Sequence, residues 1–201
     1  MNYLICLTRL VRTARQSLYR VLLLVCATGF GSLYAADFGV AQWGMTLTEV
    51  KTLESRANLT PFDQQDYLIY QVALTGIEQA RIVYQFSNQS LVSGRFIFST
   101  NDPFNIAQAL VQYQQITSLM SSQYGPPNRD QVLTNPVSRQ APAAADYANE
   151  LASDRLILKS AWRSPSATIQ HQLAWQVTQP NHQLVYLPIR AIPSAEVKNA
   201  F

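Results

Sequence analysis

Downstream of residue 26 the chain contains no cysteine; the two it carries are Cys6 and Cys26. A domain built from the remainder has no disulfide, no thiolate zinc site and no cysteine nucleophile, so packing and backbone hydrogen bonds must hold it together. Glycine is scarce, at seven in 201 residues, and no glycine-rich loop is available to cradle a phosphate. After residue 36 there is no Lys/Arg cluster, which removes the electrostatic footprint of nucleic-acid binding and excludes nucleic acid as an expected partner. Ser87, Ser153, Ser164 and Ser166 lack the Gly-x-Ser-x-Gly elbow of an esterase nucleophile. Asp63 and Asp66 flank Gln64-Gln65 without the additional oxygen ligands and the glycine of a calcium loop. The residue pattern thus supplies no catalytic, cofactor-binding or metal-ligating set, and no cofactor is expected.

What is present begins with an address. Arg9, Arg12, Arg15 and Arg20 precede an apolar run from Val21 to Phe30, and Leu33-Tyr34-Ala35-Ala36 offers small residues to a signal peptidase. Residues 1–36 therefore read as a signal peptide, with the mature chain starting at Ala36 or Asp37. A membrane-spanning anchor needs about 20 apolar residues, and Thr28, Gly29, Gly31 and Ser32 interrupt this shorter run. Val25 is too bulky for the position before a lipidated cysteine, so lipid anchoring at Cys26 is not expected. Cleavage removes four of the 15 Lys+Arg and none of the 12 Asp+Glu, leaving 11 against 12 and a formal charge of −1 instead of +3. A periplasmic or secreted address follows, with a mature chain that does not span the membrane.

Residues 37–201 read as one α+β domain, with halves at 37–100 and 101–201. Thr46-Leu47-Thr48-Glu49 is a capping box that starts a short helix. Alternation then sets Leu68, Tyr70, Val72 and Leu74 on one face, followed by Ala80, Ile82, Tyr84 and Phe86, and by Val92, Gly94, Phe96 and Phe98, the signature of an antiparallel meander. Asp102-Pro103 predicts a helix start, and Ile106, Leu110, Tyr113, Thr117, Met120 and Tyr124 recur at helical spacing until Gly125-Pro126-Pro127. Gln131 to Ser153 reads as a surface connection with one helical turn around Asp146 to Leu151. Strands return at Leu156–Trp162 and at Ile169, His171, Leu173, Trp175 and Val177, and Pro180-Asn181-His182 reads as a turn into Leu184–Ile189. The simplest plan is a tandem αβββ repeat, with two sheets or one continuous sheet under two helices.

Two histidines are the only imidazoles in the chain. Alternation places His171 on the apolar face beside Ile169, Leu173 and Trp175, where burial favours the neutral ring. His182 is expected to be a solvated turn residue, and a two-histidine metal site across the hairpin lacks a third ligand. Trp43, Tyr67, Tyr70, Tyr84, Trp162, Trp175 and Tyr186 could stack on sugars or anchor a protein interface. Tyr67, opposite in parity to Leu68 and Tyr70, is the one expected to be exposed. Together with Gln79, Gln85, Gln170, Gln172 and Gln176 on the polar strand faces it forms the candidate interaction surface.

Gly44-Met45-Thr46-Leu47-Thr48-Glu49-Val50 resembles the Gly-Met-Thr-x-x-Gln/Glu-Val signature of the small lipoprotein family of the outer-membrane β-barrel assembly machinery. The doubled helix-plus-meander plan resembles the β-lactamase inhibitor protein fold. The lipoprotein family's Leu-Gly-x-Pro helix end stands here as Leu53-Glu54-Ser55-Arg56, with Tyr124-Gly125-Pro126-Pro127 closing the second helix instead. The resemblance implies an α+β fold and an address in the bacterial envelope. Strand surface without catalytic groups points to a non-enzymatic protein that binds another envelope protein as a scaffold, adaptor or inhibitor-like module. The alternatives are a lipid- or glycan-binding periplasmic module and a hydrolase with an unrecognised site.

Overall fold

In the computed structural model, residues 36–61, 64–102, 104–135, 140–176, 179–190 and 192 are described, with the backbone alone at Glu78, Gln176 and Gln179. The sequence readings that fall on residues 1–35, Cys26 among them, on Asp63, Pro103 and Val177, and on the Gln176 side chain lie outside those residues.

The capping box forms as read. The Glu49 amide donates to Thr46 Oγ1 at 3.3 Å and the Thr46 amide donates to Glu49 Oε2 at 2.7 Å, opening helix α1 (Leu47–Leu53). Val50 is its buried residue. The first meander follows as β1 (Tyr67–Leu74), β2 (Ile77–Ser87) and β3 (Ser90–Ser99), antiparallel throughout. Residues 57–59 continue the sheet beyond β1: the Gln71 amide donates to the Ala57 carbonyl and the Leu59 amide to that of Ile69.

Helix α2 (Ile106–Tyr124) starts later than Asp102-Pro103 suggests. The Asp102 carboxylate is used in the preceding turn, where Oδ1 accepts from the Phe104 amide at 2.9 Å, and Asn105 is the cap, accepting from the Gln108 amide at 3.0 Å. The buried face of α2 is Ala109, Gln112, Tyr113, Ile116 and Met120, which brings Gln112 inward. The helix ends at Gly125, whose φ of +82° is a conformation that glycine adopts without strain, and whose carbonyl accepts from the Trp162 indole at 3.1 Å.

The stretch read as a surface connection contains a strand, β4 (Arg129–Thr134), and then α3 (Tyr147–Ala152). Only one of the six β4 residues, Val132, is a half-buried apolar residue packed against the neighbouring core, so the strand carries almost no alternation. The remaining strands are β5 (Leu156–Arg163), β6 (Ala167–Gln176) and β7 (Gln179–Pro188). Pro180-Asn181-His182 is therefore strand, not turn: Pro180 sits one residue inside β7, opposite Trp175, where a missing N–H is tolerated.

All seven strands join one antiparallel sheet in the order β1-β2-β3-β7-β6-β5-β4. The last strands of the two meanders meet at its centre, Gly94 opposite Tyr186 through Phe98 opposite His182. One apolar cluster gathers Val50, Tyr70, Ile82, Tyr84, Phe98 and Leu184 with Trp162 and Ile169; a second gathers Ala109, Tyr113, Leu151, Leu158, Leu173 and Trp175. Both clusters lie on the same side of the sheet. The three helices cover that side, and no described helix covers the other.

Candidate interaction face and the buried histidine pair

Register decides which side chains share a face, because neighbours across a ladder point the same way. Tyr67 stands opposite Gln85, Gln79 opposite Ser99, and Gln172 opposite both Lys159 and Gln183. Gln170 stands opposite Ala161 and Val185. Tyr67, Gln79, Gln85, Gln170 and Gln172 thus share the face that no described helix covers. Gln176 pairs with Gln179 at the end of β6.

The same registers place Arg81, Arg95, Arg129, Lys159 and Arg163 on this face and, among the described side chains, put no Asp or Glu there. Each cation stands opposite neutral residues: Arg81 between Gln71 and Ile97, Arg95 between Val83 and Val185, and Arg163 beside Thr168. None of the five forms an ion pair among the described residues; the pairs there are Arg56 with Glu54 and Arg155 with Glu150. Arg95 donates from Nη2 to Gln85 Oε1 at 2.8 Å, while its buried Nε has no partner. Over β4 to β6 the face dips into a hollow of about 190 Å³ between Arg129, Gln131, Lys159, Gln170 and Gln172.

On the helix side, the two histidines meet. His171 and His182 are 0% and 2% exposed, and their Nε2 atoms are 2.9 Å apart. His182 is therefore a core residue, not a solvated turn residue, because β7 begins at Gln179 and alternation sends His182, Leu184 and Tyr186 inward together.

The neighbours fix the tautomers. The Gln112 amide N–H points toward the Ser99 carbonyl at 3.4 Å, so Gln112 Oε1 faces His182 Nδ1 at 3.2 Å and can only accept. His182 then donates from Nδ1 and accepts at Nε2, and His171 donates from Nε2. His171 Nδ1 in turn accepts from the Thr117 hydroxyl at 3.1 Å. Both rings are neutral in this chain of bonds. Burial pushes His171 well below the ordinary imidazole value, repulsion from a protonated His182 would push it further, and burial pushes His182 down to about 3.

A second chain runs beside it. Tyr113 stacks on His171 with ring centres 4.2 Å apart and planes 14° apart. Its hydroxyl bonds Ser160 Oγ at 2.8 Å, and Ser160 donates to Asp130 Oδ1 at 2.8 Å, so Tyr113 is the donor to Ser160. Burial pushes the Tyr113 phenol up to about 12. These bonds satisfy the ring nitrogens of both histidines and the hydroxyls of Thr117, Tyr113 and Ser160, and leave neither hydroxyl of the second chain beside a free imidazole nitrogen. No group of three or more His, Cys, Asp or Glu among the described residues is placed to hold a metal. The pair ties α2 to β6 and β7.

A cleft of about 560 Å³ elsewhere has Asp37, Trp43, Pro165, Pro188 and Arg190 among its walls. Trp43, its one aromatic wall, is stacked on Phe38 with ring centres 6.2 Å apart. That arrangement leaves no facing pair of rings for a sugar.

Fold and face together define an α+β protein with a seven-stranded antiparallel sheet clad by helices on one side and presenting Gln, Arg and β-branched residues on the other. No family model, curated protein or solved structure matches the chain. Among the described residues no helix is long and apolar enough to cross a membrane.

Proposed function

We propose that this is an exported, non-enzymatic protein of the bacterial envelope that binds another envelope protein through the uncovered face of its sheet. The observation that carries the reading is the gathering of Tyr67, Gln79, Gln85, Gln170 and Gln172 onto that one face. Half-buried Ile69, Ile97 and Val185 lie between them and offer apolar area, while Arg and Tyr are side chains enriched at interface centres. The arginine-rich leader supports the address, and Gly44–Val50 supports kinship with the assembly-machinery lipoproteins without the lipid. The strand order supports a duplicated αβββ unit, with β4 and α3 as additions to the second copy.

Site-specific photocrosslinking in cells tests the docking face. Probes at Gln79, Gln170 and Gln172 should each capture the same protein, whereas probes at Thr52 on α1 and Leu119 on α2 should not. Equal capture from the helix side, or none from the sheet, overturns the proposal.

A further inference from the structure

We infer that the uncovered sheet face is built to receive an acidic protein surface, one that brings carboxylates to Arg81, Arg95, Arg129, Lys159 and Arg163. The inference rests on the docking reading above and adds the chemistry of the partner. Five of the 11 Lys+Arg that follow residue 36 stand on this one face, while the registers put none of the nine Asp+Glu whose side chains are described on it. Among the described side chains the charge is thus strongly sided.

Burying such a face under a neutral partner would strip water from unpaired cations without compensation, which is costly. An acidic partner reverses that sign. Four of the five cations are arginine, whose planar fork matches a carboxylate through two parallel hydrogen bonds and is less strongly hydrated than an ammonium. Arg95 stands half-buried in the central part of the sheet, where the surrounding strands limit its hydration. The cations are spaced rather than clustered, with half-buried Ile69, Ile97 and Val185 among them. A phosphodiester strand or a layer of lipid headgroups offers nothing to that apolar fraction, whereas a protein surface offers both kinds of contact. The field of the face would also raise the association rate with an acidic partner at low salt.

The test uses the purified protein and poly-L-glutamate as the probe, with phosphatidylglycerol vesicles and a DNA duplex as competing polyanions. Poly-L-glutamate should bind best, weaken as salt is raised, and lose about tenfold or more in affinity in the Arg129→Gln/Lys159→Gln/Arg163→Gln variant. Lys51→Gln, on α1, should bind as the parent does. Should the triple variant prove unstable by denaturant unfolding, Arg81→Gln alone should still lower the affinity and its salt dependence. Preferential binding of vesicles or duplex overturns the inference. It is also overturned if the probes at Gln170 and Gln172 capture a segment without carboxylates and capture is indifferent to salt and to the triple variant; the docking face then stands and only its charge chemistry falls. Absence of capture from the sheet overturns the docking reading itself, whatever poly-L-glutamate does.

Discussion

His171 and His182, on neighbouring strands and 2.9 Å apart at Nε2, form a neutral pair sealed between the sheet and α2. Both folded values lie below the unfolded imidazole value of about 6.5. The unfolded chain therefore binds more protons than the native one as pH falls below that value. The resulting stability is fully present above about pH 7 and declines toward acid until the folded values are reached. Between pH 7 and pH 5 the two rings together should cost about 3–4 kcal/mol of unfolding free energy. Denaturant unfolding at both pH values checks this, and a variant lacking both imidazoles should lose most of the slope.

His171→Ala and His182→Ala should each destabilise by about 2–3 kcal/mol, since either change strands a buried partner and opens space. A turn substitution at His182 would have stayed within about 0.5 kcal/mol. Because the rings share one bond, the double variant should cost less than the sum of the singles, by about 0.5–2 kcal/mol. Additive losses would show that the pair is not coupled. Capture from the sheet face should survive in every variant that folds.

Gly94 is required by close packing rather than by backbone freedom. A Cβ there would fall within 2.5 Å of three atoms of the Phe38 ring, which is itself 3% exposed and set edge-on to Tyr84. Gly94→Ala should destabilise by about 1–3 kcal/mol, read as a lower midpoint in denaturant. Pairing it with Phe38→Leu should recover part of the loss.

Tyr84, 0% exposed, donates to Glu54 Oε2 at 2.8 Å, and Arg56 holds the same carboxylate. Burial alone would raise the Glu54 carboxyl, but the bonds from Arg56 and Tyr84 outweigh it and hold Glu54 below its usual value. Tyr84→Phe should cost about 1–2 kcal/mol by removing one of those donors. Glu54 should then titrate at a higher pH, followed through its carboxyl carbon resonance.

Export is checked by intact mass. Protein recovered from the envelope should lack residues 1–35, carry no diacylglycerol and unfold identically with and without reductant. A mass that includes Cys26 would remove the basis for the periplasmic address.

Alternation made six of the seven strands legible because one side of the sheet is buried and the other is not. β4 escaped since Val132 is its one residue packed on the core. His182 escaped since Pro180-Asn181 is turn chemistry; the opposing signal was parity, which His182 shares with Leu184 and Tyr186. Gln112 lies outside the spacing Ile106, Leu110, Tyr113, Thr117, Met120 and Tyr124, and only the observed buried face of α2 turns it toward His182. The glutamine surface was legible from strand parity alone. Its charge was not: the cations come from β2, β3, β4 and β5, and only the register between strands gathers them on one side.

The ladder between β3 and β7 has a consequence for how the chain reaches this state. Each meander is made of neighbours in sequence, but the central rungs from Gly94–Tyr186 to Phe98–His182 join partners separated by most of the domain. Closing that loop costs chain entropy before any rung returns it, which slows β-rich topologies. Until the rungs close, β3 and β7 each expose an open edge carrying Phe96, Phe98, Leu184 and Tyr186, the type of edge that pairs with other chains. The histidine pair sits at the end of this ladder, so its bonds form only once the two halves have found each other. A newly made chain is therefore most exposed to self-association at the very strands that later become the middle of its sheet.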